Sequence, residues 1–284
     1  MKYIIVGGVA GGATAAARIR RLTEDAEIVI FDKGEYISYA NCGLPYYIGG
    51  VIEERDRLFV QTPESFGRRF NIDVRTKNEV TAIDAAAKQV RVRTADGKEY
   101  IESYDKLLLS PGASPVVPPL NGIDSEGIFT LRNVSDTDRI KEYMTSHRVK
   151  RAVIVGGGFI GLEMAENLKH AGAQVAVVEM ASQVMAPIDY SMASHVHEHL
   201  LQQGVKLYLE QVVEGFSREN DELTVHFKSG VTLKTDIVLL SIGVKAETNL
   251  AQAAGLKLGD MRGIWVDEYL QTSAEDIYAV GDAI

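Results

Sequence analysis

The sequence predicts an α/β chain made of two three-layer ββα domains, the second inserted into the first. Three observations predict it. A short apolar run, a glycine-rich turn, an alanine-rich stretch and a second apolar run ending in an acid occupy residues 3–32. The same succession returns at residues 152–179. Each copy leads through short alternating runs to a matching ending, Leu108-Leu109-Ser110-Pro111-Gly112 in one and Leu239-Leu240-Ser241-Ile242-Gly243 in the other.

Residues 3–6 suit the buried centre of a parallel sheet. Gly7-Gly8-Val9-Ala10-Gly11-Gly12 then turns the chain into a helix over residues 13–22, and residues 27–31 form a strand that ends at Asp32. This is the Rossmann-like dinucleotide-binding pattern. Gly7 permits the tight turn and Gly12 lets the helix pack close to the strand. The helix N-terminus offers N–H groups and positive dipole to a pyrophosphate. Asp32 falls about 20 to 25 residues on, where a carboxylate can accept a ribose hydroxyl. Val9 occupies the middle position of the fingerprint, where glycine is usual. Residues 72–81, 89–94 and 98–102 read as a small antiparallel meander with Asp96-Gly97 as a hairpin turn, leading to a strand at 106–109 and the turn Ser110-Pro111-Gly112-Ala113.

The second copy carries all three fingerprint glycines, Gly156, Gly158 and Gly161, between a strand at 152–155 and a helix at 162–170. Its second strand, 174–178, ends at Glu179. A carboxylate there hydrogen-bonds a free 2′-hydroxyl and repels a 2′-phosphate, so NAD is expected in preference to NADP. Residues 205–209, 223–228 and 231–234 repeat the meander, with Ser229-Gly230 as turn, before a strand at 237–240. The proline-rich stretch 115–119 is the natural linker. Residues 272–282 read as an edge, a strand and a Gly281-Asp282 turn that close the first domain. The expected division is 1–114 and 244–284 for the first domain, and 115–243 for the inserted one.

With 284 residues, 46% hydrophobic and 24% charged, the chain has room for two cores. A formal net charge of −9 argues against non-specific nucleic-acid binding. No apolar run approaches the roughly 20 residues that span a bilayer, so no membrane partner is expected. Residues 1–6 imitate a short signal peptide, but the glycines that follow make them a structural strand. One cysteine excludes an intrachain disulfide framework and, with that strand, points to the cytoplasm.

That cysteine, Cys42, lies in an aromatic and small-residue segment, 36–50, directly after the first βαβ unit. Two dinucleotide sites and one thiol suggest a reaction type: one nucleotide brings hydride, and a flavin passes the electrons to sulfur. The first site is the better flavin candidate, because the Cys42 segment follows from it. Other groups carry less. His195, His197 and His199 lack the further ligands of a metal site and read as a solvated helix face, so no metal is expected. Arg68-Arg69 reads as a surface charge pair. Tyr36, Tyr39, Tyr46 and Tyr47 read mostly as core, with Tyr39 and Tyr46 the two worth testing beside Cys42. Trp265 also reads as core.

The segment Ser38-Tyr39-Ala40-Asn41-Cys42-Gly43-Leu44-Pro45-Tyr46 resembles the coenzyme A-disulfide reductase signature. The whole chain is similar to the FAD-dependent pyridine nucleotide–disulfide oxidoreductases, nearest to their single-cysteine branch of coenzyme A-disulfide reductases, NADH-dependent persulfide or polysulfide reductases, and NADH oxidases and peroxidases. Two-cysteine relatives carry a pair four residues apart here. With Cys42 alone, the disulfide partner is expected to be external.

The resemblance implies FAD held by Gly7, Gly8, Val9, Ala10, Gly11, Gly12, Asp32, Lys33, the backbone near Val80, Ser110, Pro111, Gly112, Arg132 and Asp282. It implies NADH held by Gly156, Gly158, Phe159, Ile160, Gly161, Glu179 and Gly243, with Phe159 as the aromatic that covers the flavin face and Glu163 near the flavin. For coenzyme A it implies Thr14, Arg18, Arg21, Ser38 and Asn41. It further implies a cycle in which NADH reduces FAD, the flavin reduces a Cys42–coenzyme A mixed disulfide, and the freed thiolate attacks the next disulfide or persulfide. The alternatives are an oxidase or peroxidase that cycles Cys42 through sulfenic acid, and a non-catalytic NADH-sensing flavoprotein. Relatives continue past the position of Ile284 into a C-terminal domain that forms a homodimer and supplies a tyrosine proton donor, some with a rhodanese domain beyond. A shortened chain of low activity is therefore expected here.

Overall fold

The computed structural model describes residues 1–220 and 222–284. The chain divides into two compact units. The first comprises Met1–Ala40, Phe59–Ser114 and Lys245–Ile284, and the second Asn41–Leu58 and Pro115–Val244. The short run Asn41–Leu58, which the linear division above leaves in the first domain, thus groups with the inserted unit.

The first unit is built on a five-stranded parallel sheet in the order Ile277–Ala279, Lys106–Leu109, Lys2–Val6, Glu27–Asp32, Asp73–Thr76. Period-two alternation along the central strand sends neighbouring residues to opposite faces. Ile5 packs with Ala13, Ala16 and Ala17 of the helix Gly11–Leu22 on one face. Ile4 packs with Val80, Val90 and Val92 on the other, beneath the antiparallel strands Asn78–Asp84, Gln89–Thr94 and Glu99–Ser103. Helix, sheet and meander are the three layers. The C-terminal strand Ile277–Ala279 pairs with Lys106–Leu109 and completes this sheet.

The second unit repeats the plan. Its parallel sheet runs Lys206–Tyr208, Gln174–Val178, Arg151–Val155, Ile237–Leu240, Ile128–Thr130. Val153, Val155 and Val238 pack against Phe216, Val225 and Phe227 of a three-stranded antiparallel sheet. On the other side of the plan, the helix Phe159–His170 buries Gly161, Met164, Ala165 and Leu168.

Several expected strands differ in extent. Residues 72–81 are two strands in two sheets: Asp73–Thr76 is an edge of the parallel sheet and Asn78–Asp84 opens the meander, with Lys77 between them at φ +57°. The counterpart at 205–209 is likewise an edge of the parallel sheet, Lys206–Tyr208, and Glu210 follows at φ +56°. The second meander begins instead at Val213–Glu219, a run whose glycine and charges hid its strand character. Trp265 is not core: it is 37% exposed, with the Lys257 ammonium 5.0 Å from its ring centroid. Tyr36, Tyr39, Tyr46 and Tyr47 are all half-buried rather than core: Tyr36 packs on Phe59 with ring centroids 5.0 Å apart, and Tyr46 and Tyr47 lie on the short helix Leu44–Gly49, whose buried positions are Leu44, Pro45, Ile48 and Gly49.

Candidate functional site

In the first unit, the loop after the strand Lys2–Val6 is shaped by close backbone approaches. Gly7 has φ +98°, and a Cβ on it would fall 2.1 Å from Ser110 O. One on Gly12 would fall 1.8 Å from Gly7 O. Only glycine lets strand, turn and helix meet at this distance. The Asp32 carboxylate accepts the Gly8 N–H at 2.8 Å through Oδ2 and the Gly34 N–H at 2.7 Å through Oδ1, which holds it beside the loop. The helix Gly11–Leu22 has no side-chain cap and no acid in its first turn. Ser110 lies against Gly11, together with Val280, a neighbour that nothing in the local sequence marks.

The second unit carries the same arrangement. Gly156 has φ +105° with Ser241 O 2.3 Å from its virtual Cβ, and Gly161 faces Gly156 O at 2.0 Å. Glu179 Oε2 accepts from Gly157 N at 2.7 Å and Oε1 from Ala181 N at 2.8 Å. The helix Phe159–His170 is also without a side-chain cap. A Cβ on Gly158 would meet no atom within 4 Å, so this backbone faces open space. By contrast the helices Pro63–Phe70 and Val134–Ser146 both carry full capping boxes, from Thr62–Ser65 and Asn133–Asp136. The two helices that follow glycine loops keep their first N–H groups uncapped by side chains, as an anion-binding terminus requires. Uncapped donors and a fixed carboxylate fit a dinucleotide at both loops, and the second adds the open space at Gly158.

Cys42 is exposed, in the single turn of 3₁₀ helix Asn41–Gly43 that leads into the short helix Leu44–Gly49. This helix docks within the second unit. A Cβ on Gly49 would fall 2.7 Å from Asn167 O and 2.7 Å from Asn167 Oδ1, so the helix backbone lies directly on Phe159–His170. Lys141 Nζ donates to Tyr47 O at 2.6 Å and sits 3.7 Å from the Tyr47 ring centroid. Burial lowers the Lys141 pKa, with Asp138 opposing the shift. Arg55 forks onto Asp138, with Nη2 at 2.7 Å and Nε at 2.9 Å. No local pattern in the sequence marks these two clamps, whose partners lie 94 and 83 residues apart. The Tyr46 hydroxyl titrates above the usual tyrosine range, held up first by the charge of Glu163, then by Glu166, burial and Cys42. The Glu163 carboxyl is itself raised, mainly by burial and then by Glu166.

The remaining expected residues fall as follows. Phe159 and Ile160 open the second-unit helix and are 65% and 39% exposed. Val9 and Pro111 are half-buried, while Ala10, Lys33 and Asp282 are exposed in the first unit. Val80 is buried core on a strand whose register shifts between Val80 and Ala82. Gly112 and Gly243 occupy equivalent turns at φ +74° and +113°, each with open space at Cβ. Arg132 belongs to the second unit, where its N–H donates to Asp136 Oδ2 at 3.0 Å. Of the coenzyme A candidates, Thr14, Arg18 and Arg21 are exposed on the first-unit helix, and Arg21 Nε donates to Ala17 O at 3.2 Å. Ser38 takes φ +46° and donates its N–H to Gly8 O, whereas Asn41 belongs to the second unit. Among the described residues no three His, Cys, Asp or Glu side chains cluster as a metal site, and no helix is long and apolar enough to cross a membrane.

Comparison with known proteins agrees with this geometry. The chain is 38% identical over 285 residues to an NADH oxidase of Methanocaldococcus jannaschii, covering 100% of this chain and 63% of the relative. It is 38% identical over 284 residues to a coenzyme A disulfide reductase of Staphylococcus haemolyticus, again covering 100% and 63%. It therefore spans less than two thirds of these relatives' length. The crystal structure of reduced Bacillus anthracis CoADR-RHD superposes with a TM-score of 0.97 at 51% identity, over 100% of this chain and 51% of that one. The family model described as pyridine nucleotide-disulphide oxidoreductase matches residues 1–284. With two glycine loops, two clasped acids and a match along its whole length, the chain belongs to the pyridine nucleotide-disulphide oxidoreductases.

Proposed function

We propose that the protein is an NADH-dependent flavoprotein reductase of coenzyme A disulfide or of coenzyme A persulfides, acting through Cys42. The observation that carries this reading is the single cysteine of the sequence, exposed on a turn that leads into a clamped helix, in a chain with two dinucleotide loops. FAD would be held by Gly7–Gly12, Asp32, Ser110–Gly112 and Asp282, and NADH by Gly156–Gly161, Glu179 and Gly243. Bound FAD supplies transfer of an electron pair from a hydride donor to a disulfide.

Cys42 Sγ, as thiolate, attacks one sulfur of the disulfide; the Cys42–S–S–coenzyme A bond forms and one coenzyme A thiolate leaves. Two electrons originating in NADH then cleave that mixed disulfide, regenerating the Cys42 thiolate and releasing the second coenzyme A. The sum is NADH, a proton and one disulfide giving NAD⁺ and two thiols. Exposure of Cys42 lets a bulky external disulfide approach in line, and with one cysteine no internal sulfur competes. The exposed cations Arg18 and Arg21 suit the phosphates of a long anionic substrate. The reading extends to a cytoplasmic setting, which the lone thiol favours, and to a homodimer.

The second reading, an oxidase or peroxidase with a Cys42 sulfenic acid, draws support from the Methanocaldococcus jannaschii relative, which is named an NADH oxidase. One experiment separates them. The FAD-reconstituted protein is reduced with NADH, and recovery of flavin absorbance is followed after adding coenzyme A disulfide, coenzyme A persulfide, peroxide or air-saturated buffer. Recovery with a coenzyme A acceptor that is lost in Cys42→Ser is the expected result. Recovery with only oxygen or peroxide selects the oxidase reading. Unchanged behaviour of Cys42→Ser points to the non-catalytic sensor, and failure to bind FAD overturns all three.

A further inference from the structure

We propose that His197 is a positioning residue for the second dinucleotide loop, fixing the segment 179–185 against Gly157. The inference rests on the reading that this loop holds NADH. Three histidines alternate along the helix Tyr190–Gln202, and the structure separates them: His195 and His199 are exposed, while His197 is half-buried. Val184 N donates to His197 Nε2 at 3.1 Å. An acceptor at Nε2 requires the neutral imidazole with its proton on Nδ1. The edge of the Tyr190 ring pair, 6.2 Å between centroids at 72°, sets the plane of the imidazole.

The segment held in this way grips the loop from both ends. Glu179 takes the Gly157 N–H and the Ala181 N–H with its two oxygens. Met185, at φ +54°, gives its own N–H to Gly157 O at 2.8 Å. Between them Val184 is 0% exposed, and its Cγ1 lies 2.8 Å from where a Cβ on Gly157 would be. A buried amide needs a partner, and here that partner comes from outside the segment. Without it, solvent must reach the Val184 N–H, and the valine must lift from Gly157. The carboxylate meant for the ribose would then lose its orientation.

The test uses the full chain with two variants. His197→Phe keeps an aromatic ring beside Tyr190 and removes the acceptor; His197→Gln places an amide oxygen near the former Nε2. NADH affinity by titration calorimetry is read together with amide exchange at Val184 and steady-state kinetics. The expected result is an NADH Kd raised about tenfold in His197→Phe, faster exchange at Val184, a raised KM for NADH and an unchanged kcat. His197→Gln recovers affinity to within about threefold of the parent. Unchanged NADH affinity in His197→Phe, or equal losses in both variants, overturns the proposal. If the parent chain binds no NADH, the dinucleotide reading falls by itself, and Val184 exchange still decides whether His197 holds the segment.

Discussion

Substituting Gly49 by alanine tests how the thiol-bearing helix is seated. The new Cβ would lie 2.7 Å from Asn167 O, 2.7 Å from Asn167 Oδ1 and 2.8 Å from Asn167 Cβ. Ordinary contact begins near 3.4 Å, so Leu44–Gly49 must back away from Phe159–His170 by about 0.7 Å (3.4 less 2.7). Overpacking of this kind costs about 1–3 kcal/mol. Replacing a helical glycine returns up to about 1 kcal/mol. Taking the middle of the cost range, about 2 kcal/mol less up to about 1, the net expectation is a loss of about 1–2 kcal/mol, or about 2–8 °C in Tm. Calorimetry gives the midpoint, and amide exchange locates the change: residues 41–50 should exchange faster while the strand Lys2–Val6 keeps its protection. Asn167→Ala in the same chain removes Oδ1 alone and leaves two of the three contacts, so it should not restore stability. An unchanged or raised Tm with normal exchange at 41–50 would refute the tight seating of this helix.

Two further outcomes follow from the second unit. Glu179→Gln keeps the length of the side chain and removes the charge that excludes a 2′-phosphate, so the ratio of NADPH to NADH dissociation constants should fall at least about tenfold in a titration of both nucleotides. Glu163 has a raised folded pKa, so its contribution to stability is full below the unfolded value near 4.5 and is lost as pH rises through the folded one. Glu163→Gln should therefore raise Tm at pH 7 and leave it unchanged at pH 4, and a gain at both pH values would rule out burial of the charge as the cause.

The two βαβ units were legible because their signals are local: alternating apolar runs, glycines at fixed offsets and an acid at each strand end. What stayed hidden depended on residues without such marks. Lys77 takes positive φ where glycine or asparagine is the usual sign of a break, so nothing in residues 72–81 marks the change of sheet, and the glycine and charges of Val213–Glu219 mask the strand that follows Glu210. The helices Pro63–Phe70 and Val134–Ser146 begin at capping boxes that lie outside the repeated βαβ pattern. Of the proposed site residues, spacing singles out the glycines and the acids Asp32 and Glu179, which the structure brings together at each loop. The seat of Cys42 could not be found in this way, because it is made by Lys141, Asp138 and Asn167, all far along the chain. Nor could the parting of His197 from its neighbours, which arises from one backbone amide brought in by tertiary folding.

The matched clasps, Asp32 on Gly8 and Glu179 on Gly157, have a consequence for selectivity. Each loop presents the same main-chain hold and an anchored carboxylate, aspartate in one and glutamate in the other, and under the proposed assignment such a hold is indifferent to what lies beyond the pyrophosphate. Two cradles of one pattern cannot by themselves keep a flavin carrier and a nicotinamide carrier apart. Under the proposed assignment, discrimination falls to places where the copies differ, among them a valine side chain at residue 9 against open space at Gly158, Ala10 and Gly11 against the exposed Phe159 and Ile160, Lys33 against Met180, and Pro111 against Ile242. Exchanging those positions between the copies, with the clasps left alone, is the route by which one site could be taught the other's cofactor.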